Sequence, residues 1–497
     1  MSNTNKLYKK AINHTAIYGV SDIIRKIVGF LMLPIYTRYL TPEDYGVVQL
    51  MMMAIFIFEA FLGMRMGQAI FRYYFMAEDP KEKKTVMTTA YLMTFGASIL
   101  ACIILIANAG NATQLLIGDT RYEDLLKIFA IMLVTQALEE YGLIYVRVHQ
   151  RAILFFVLSI VKLVLSLSLN IYFIVYRDLS VEGVIYSAGI TSGVMALFST
   201  FYTFYYSGMN FSKPLLKKLL LFSYPLWIAG IGGLYAATSV NYFLRIFSGL
   251  DQVGIYALAI KFASLILVLV WTPFTRIWHS LKYEIYEMPD SNQMYQNIFI
   301  SLALVMSFIG LGLSLFSGTL IQLMADSSFW AAGDIIPILV LAKIAQSFTG
   351  FNNFGILLKE KTGIIAIGAY ISAIVTTISF FVLIPLAGLL GAAFSILLGV
   401  VVQLLWIEWR SNKLYDMQLP WFRLVILNAT WIICYLISLL LPEALLISVP
   451  GKLLILVSFV LLLFILPILK KKEKEQMLIY AKEALNKTGR YFVSNKT

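Results

Sequence analysis

Apolar stretches long enough to cross a lipid bilayer recur along this chain almost without interruption. A hydrocarbon core of about 30 Å takes roughly 20 residues of α-helix. Stretches of that size lie near 12–36, 43–66, 84–107, 122–147, 152–176 and 181–206. A second set runs near 216–243, 253–278, 294–318, 330–352, 363–384 and 388–409, and a final pair near 421–441 and 446–469. The pattern predicts an all-α polytopic membrane protein with about 14 transmembrane helices. Composition agrees with it. Of 497 residues, 60% are hydrophobic and 13% charged, with a mean hydropathy of +0.81. So few charges could not cover a water-facing surface.

The position of the charges then sets an orientation. Lys and Arg collect on cytoplasmic loops. With the N-terminus inside, the inner segments hold Lys6, Lys9 and Lys10, then Arg72, Lys81, Lys83 and Lys84, then Arg147 and Arg151. They continue with Lys213, Lys217 and Lys218, Arg276 and Lys282, Lys359 and Lys361, and Arg410 and Lys413. The outer loops hold only Arg38, Arg121, Arg177, Arg245 and Lys452. An error of one span would invert this alternation downstream, so both termini are expected in the cytoplasm. The net charge of +12 is thereby explained without nucleic acid as a partner. The lysine-rich tail, 471–497, reads either as a basic amphipathic helix on the anionic inner leaflet or as a solvated end. No apolar core near the start leads to a small-residue cleavage site, so no removable signal peptide is expected.

An internal repeat organises the spans. The chain reads Arg38-Tyr-Leu-Thr-Pro-Glu-Asp44-Tyr-Gly46 after the first span and Arg245-Ile-Phe-Ser-Gly-Leu-Asp251-Gln-Val-Gly254 after the seventh. Arg, Asp and Gly correspond at an offset of about 207–208 residues. The starts of spans six and twelve, at Gly183 and Gly391, share that offset, as do the basic turns at His149–Arg151 and Lys359–Lys361 to within two residues. Two six-helix bundles of one orientation, 1–210 and 211–415, are expected around a central cavity. Two additional helices (416–470) and the cytoplasmic tail (471–497) follow.

Charges inside the spans are the candidate functional residues, because an ionised group at mid-membrane costs at least about 2.5–3.5 kcal/mol. Asp22, Arg25 and Lys26 fall in span one, Glu59 and Arg65 in span two, and Glu139 and Glu140 in span four. Lys162, Lys261 and Lys343 fall in spans five, eight and ten. Asp22 and Lys26, four apart on a helix, can neutralise one another. Arg72 and Lys127 can snorkel to an interface. Lys162, Lys261 and Lys343 have no acidic neighbour at helical spacing, and Arg65 has only Glu59, six residues away; with Arg25 they would together make a cationic cavity suited to phosphate or pyrophosphate. The aromatic content, 14%, serves interfacial belts and packing, and some of it could stack on sugar faces.

What is missing narrows the function. The chain has no phosphate-binding P-loop and no H-E-x-x-H, and its histidines, His14, His149 and His279, are scattered. Cys102 and Cys434 sit in apolar runs and form no metal site. No catalytic residues, no metal and no cofactor are expected, and transport must draw on a substrate gradient, an ion gradient or the membrane potential. Glu139 and Glu140 are adjacent, do not face each other on a helix and make a poor acid–base couple.

The segment Pro34-Ile-Tyr-Thr-Arg38-Tyr-Leu-Thr-Pro-Glu-Asp44-Tyr-Gly46 resembles the first-hairpin signature of the bacterial oligosaccharide (Wzx-type polysaccharide repeat-unit) flippases. These form the polysaccharide-exporter branch of the multidrug/oligosaccharidyl-lipid/polysaccharide (MOP) superfamily. The resemblance implies a non-enzymatic transporter in the bacterial cytoplasmic membrane. Its substrate would be an undecaprenyl-pyrophosphate-linked glycan, turned from the inner to the outer leaflet by alternating access. Membrane lipids, a polysaccharide polymerase and chain-length machinery would be its partners. It also implies that Arg25, Arg65 and Lys261, on the first, second and eighth helices, bind pyrophosphate, with Asp22, Lys26, Glu59, Lys162 and Lys343 as further lumen charges. The last two helices would hold the lipid tail. Two rivals remain at this point: a multidrug or cation exporter of the same superfamily, and a membrane-embedded glycosyltransferase or polymerase.

Overall fold

The computed structural model describes residues 29–30, 32–63, 66–442, 445–470 and 474, and among them there is no β-strand. Most of the first expected span, with Asp22, Arg25 and Lys26, lies outside the described residues, as do Arg65 and nearly all of the tail. The helices, in chain order, are α1 (Leu33–Tyr39), α2 (Pro42–Gly63), α3 (Met66–Met76), α4 (Pro80–Ala107), α5 (Ala109–Leu116), α6 (Glu123–Val148), α7 (Ala152–Asn170) and α8 (Val181–Ser207). They continue with α9 (Lys213–Ser248), α10 (Leu250–Ala263), α11 (Thr272–Tyr286), α12 (Ser291–Met324), α13 (Ala332–Asn352), α14 (Phe354–Leu358), α15 (Gly363–Asn412), α16 (Trp421–Ser438) and α17 (Leu445–Ile465). Short π-helical segments, Ile171–Tyr176 and Leu267–Trp271, extend α7 and join α10 to α11.

Among the described residues, 11 helical segments are long and apolar enough to cross a membrane, or 12 if the bent pair Lys213–Ile228 and Gly230–Ser248 counts as one span. That pair turns by 50°. Pro225 lies within the first helix of the pair, three residues before that helix ends at Ile228. The segment α15 is 50 residues long, which as one straight helix would measure about 75 Å, far more than a bilayer core of about 30 Å. It is broken at Gly388, whose φ of 52° and ψ of −123° are not helical. Beyond the break the chain doubles back, so that a Cβ at Gly399 would meet the Ser372 carbonyl and the Thr376 hydroxyl. Residues 23 and 27 apart can be neighbours only in a hairpin. With α15 counted as two spans, the total is compatible with the expected 14.

The described residues divide into two compact units. One takes those within Met1–Lys261, Ile321–Ile335 and Ile365–Gln403, and the other those within Phe262–Leu320, Ile336–Ile364 and Leu404–Thr497. In the first, α6 packs on α8 and α4 through small and hydroxylated side chains, as membrane helices do where no water drives them together. A Cβ at Gly142 would run into Ser199, and Thr135 and Ser192 share a 2.7 Å hydrogen bond. The start of α2 follows from the hairpin motif itself. The Thr41 hydroxyl accepts from the Asp44 amide at 3.1 Å, the Asp44 carboxylate accepts from the Thr41 amide at 3.1 Å, and Pro42 supplies a fixed φ at the first turn.

The second unit has an aromatic core in which Trp278 stacks on Phe351 with centroids 4.3 Å apart. The Glu408 carboxylate anchors α16 there. It accepts from Asn352 at 2.8 Å, Asn412 at 2.7 Å and Trp421 at 2.5 Å, so a carboxylate inside the unit is satisfied by three neutral donors.

Candidate functional site

The repeat motif builds the most distinctive contact of the first unit. A Cβ at Gly46 would fall on the carbonyl oxygen of Leu250, and a Cβ at Gly254 on that of Pro42. The two glycines that correspond in the repeat therefore face each other, and the starts of α2 and α10 approach as only glycines allow. Beside this contact the Tyr45 ring, 2% exposed, lies 6.1 Å from both Tyr36 and Phe329. Lys261 donates to the Tyr45 phenol oxygen, and its ammonium sits 5.0 Å from the Tyr45 ring centroid and 6.0 Å from that of Tyr36. Tyr36 in turn donates to Asn170 at 3.1 Å, and Asn170 donates to the Ser166 carbonyl at 2.8 Å. Asn170 is the residue at which α7 passes into a π-helical turn, a distortion that recurs at functional sites.

A cavity of about 330 Å³ lies elsewhere in the same unit, lined by Glu59 and Glu140 together with Phe56, Tyr141, Trp227 and Gly230. Glu140 is exposed to it, and Glu59 is half-buried. The neighbouring Glu139 is buried and pairs with Lys162 at 2.7 Å.

The expected site residues thus separate. Lys261 is bound to tyrosines. Lys162 is neutralised by Glu139, a partner on a different helix that spacing along one helix does not reveal. Glu59 faces a cavity it shares with another carboxylate, Glu140. Lys343 belongs to the second unit and is half-buried on α13, and among the described residues no ion pair holds it. The positions of Asp22, Arg25, Lys26 and Arg65 lie outside the described residues. Sequence reasoning missed Tyr45, Tyr36 and Asn170, although both tyrosines stand inside the quoted hairpin.

Away from the spans, the loops expected inside carry basic side chains over aromatic rings. Arg72 lies 4.7 Å from the Phe222 centroid, Arg151 5.3 Å from Tyr206 and Lys413 4.0 Å from Trp409, pairs that suit a headgroup region. His149 has Nδ1 at 2.9 Å from the Tyr145 carbonyl and Nε2 at 3.1 Å from the Tyr74 hydroxyl. A carbonyl only accepts, so Nδ1 carries the proton. Burial lowers the imidazole pKa. In the loops at the opposite ends of the spans, the Asp119 carboxyl is held below its usual range by the Arg121 amide and side chain, and Asp326 by the Ser328 amide.

The sequence profile of a family described as "Polysaccharide biosynthesis protein" matches residues 12–278, more than half of the chain. The chain belongs to this family. No curated protein matches it in sequence. In fold, this polysaccharide biosynthesis protein is similar to the lipid II flippase MurJ in an inward closed conformation, with a TM-score of 0.65 at 14% identity over 91% of this chain and 99% of that one. It is also similar to an inward-facing multidrug resistance MATE transporter of the MOP superfamily, with a TM-score of 0.62 at 17% identity, covering 78% of this chain and 95% of the other. An outward-facing MATE transporter of that superfamily gives 0.54 at 16% identity, over 81% and 96%. The chain is thus a polysaccharide biosynthesis protein with the fold of these MurJ and MATE structures.

Proposed function

We propose that this polysaccharide biosynthesis protein flips undecaprenyl-pyrophosphate-linked oligosaccharide repeat units from the inner to the outer leaflet of the bacterial cytoplasmic membrane by alternating access. The observation that carries this reading is the family match over 12–278, which includes the hairpin and the positions of Arg25, Arg65 and Lys261. These three bind the pyrophosphate while the glycan occupies the interior and the polyprenyl chain stays in lipid. In the same reading, 1–210 and 211–415 are the two six-helix bundles, 416–470 holds the lipid tail, and both termini are cytoplasmic. The chain carries out no chemical step and needs no cofactor. A polysaccharide polymerase and its chain-length machinery then act on the delivered unit.

Removing one cation from a pyrophosphate removes a charge-assisted hydrogen bond of about 1.5–3 kcal/mol, roughly ten- to hundredfold in affinity. Arg25→Ala, Arg65→Ala and Lys261→Ala are each expected to lower surface polysaccharide by that order at unchanged protein level, measured by immunoblot of both. Wild-type export from all three variants would reject the assignment.

The cavity shared by Glu59 and Glu140 favours a second reading, a multidrug or cation exporter, since paired carboxylates attract cations rather than pyrophosphate. In that case Glu59→Gln and Glu140→Gln would sensitise cells to cationic drugs and leave surface polysaccharide untouched.

A further inference from the structure

We propose that Tyr45 and Lys261 form a latch that keeps the starts of α2 and α10 together until an anionic headgroup takes the lysine. The inference rests on the reading of Lys261 as a headgroup ligand and adds what holds that lysine when no headgroup is present. Three observations carry it. The backbones of α2 and α10 meet at Gly46 and Gly254 with no room for a side chain on either. Lys261, on the same helix as Gly254, donates to Tyr45, the residue next to Gly46. Tyr45 is nearly inaccessible and is packed between Tyr36 and Phe329, so the lysine reaches it only while the two helix starts are close.

The chemistry of the contact makes it releasable. Among the described residues no ion pair satisfies Lys261; a phenol oxygen and two ring faces do so instead. Cation–π contacts and a hydrogen bond to a neutral acceptor are weaker than charge-assisted bonds to a pyrophosphate. The long aliphatic stem of lysine lets the ammonium swing from one partner to the other. The headgroup thus spends part of its binding energy on breaking the latch, which frees α2 from α10 and lets their starts part. An empty transporter keeps them shut. Tyr45 is in this account a positioning residue. The Tyr36–Asn170 bond sets the ring that flanks it.

Spin labels at Glu43→Cys on α2 and Gln252→Cys on α10, in the full chain with Cys102→Ser and Cys434→Ser, would report the separation by pulsed electron resonance in nanodiscs. Without ligand the otherwise wild-type protein is expected to show one short distance, and undecaprenyl pyrophosphate is expected to add a longer one. Inorganic pyrophosphate, run in parallel, separates a free headgroup from one that acts only on its lipid. Tyr45→Phe, which keeps the ring, and Lys261→Met are both expected to show the longer distance without ligand, raised about tenfold in population, while Lys261→Arg keeps the short one. If both Tyr45→Phe and Lys261→Met keep the single short distance, the latch is overturned. If both variants open but neither pyrophosphate lengthens the wild-type distance, the latch stands and the headgroup reading of Lys261 fails.

Discussion

A single methyl group at Gly254 is expected to lower export by about ten- to hundredfold. The Cβ of Gly254→Ala would fall on the Pro42 carbonyl oxygen and crowd the Gly46 amide nitrogen. Neither of these backbone atoms can rotate away as a flexible side chain could. Overpacking of this kind costs about 1–3 kcal/mol, and a shift of that size moves a two-state equilibrium by one to two orders of magnitude. The strain is relieved when the starts of α2 and α10 separate, so transport should fall further than folded yield. Gly46→Ala should behave alike, because the contact is reciprocal. Gly312→Ala provides the contrast: nothing lies within 4 Å of a Cβ there, and replacing a mid-helix glycine by alanine gains up to about 1 kcal/mol. The measurement is surface polysaccharide per folded transporter, the latter by fluorescent size-exclusion profile. Equal export from Gly254→Ala and Gly312→Ala would contradict the close approach.

The second large effect is expected at Lys162. Its ammonium lies 2.7 Å from the Glu139 carboxylate, whose side chain is only 3% exposed. Lys162→Met leaves that buried carboxylate without its cation; because the lysine side chain is itself 40% exposed, the loss is expected to be about 1–3 kcal/mol, the cost of leaving a buried polar group unsatisfied. Folded yield and thermal stability in detergent should both drop sharply. Replacing both partners, Glu139→Leu with Lys162→Met, should restore most of the loss, since an apolar pair of similar volume often matches a buried ion pair. If Lys162→Met is as stable as the wild type and only export is impaired, the lysine serves the transported molecule rather than Glu139.

These two sites mark what the sequence made legible. Hydropathy marked the spans that fall among the described residues, and it separated 363–384 from 388–409 at the place where Gly388 breaks the helix. The repeat singled out Gly46 and Gly254 as equivalent, because an Arg and an Asp precede the glycine at matching positions in both halves. That the two glycines touch was not legible, because nothing along the chain records a contact between residues about 207–208 apart. The same holds for charge. Helical spacing finds partners three or four residues away, whereas Lys162 and Glu139 meet across two helices, and Lys261 finds a neutral phenol rather than an acid. Glu59 and Glu140 lie far apart in the chain and line one cavity, so a count of basic against acidic positions gave no hint of its carboxylate character.

The proposed activity is carriage of a lipid-linked glycan across the membrane. Its most direct test is a lipid analysis of cells depleted of the protein, with leaflet position read by protection from an added glycosidase. Undecaprenyl-pyrophosphate-linked oligosaccharide is expected to accumulate, protected, on the cytoplasmic leaflet, and the wild-type gene is expected to clear it while Lys261→Ala does not. A carrier pool of normal size and sidedness, in cells newly sensitive to cationic drugs, would contradict it.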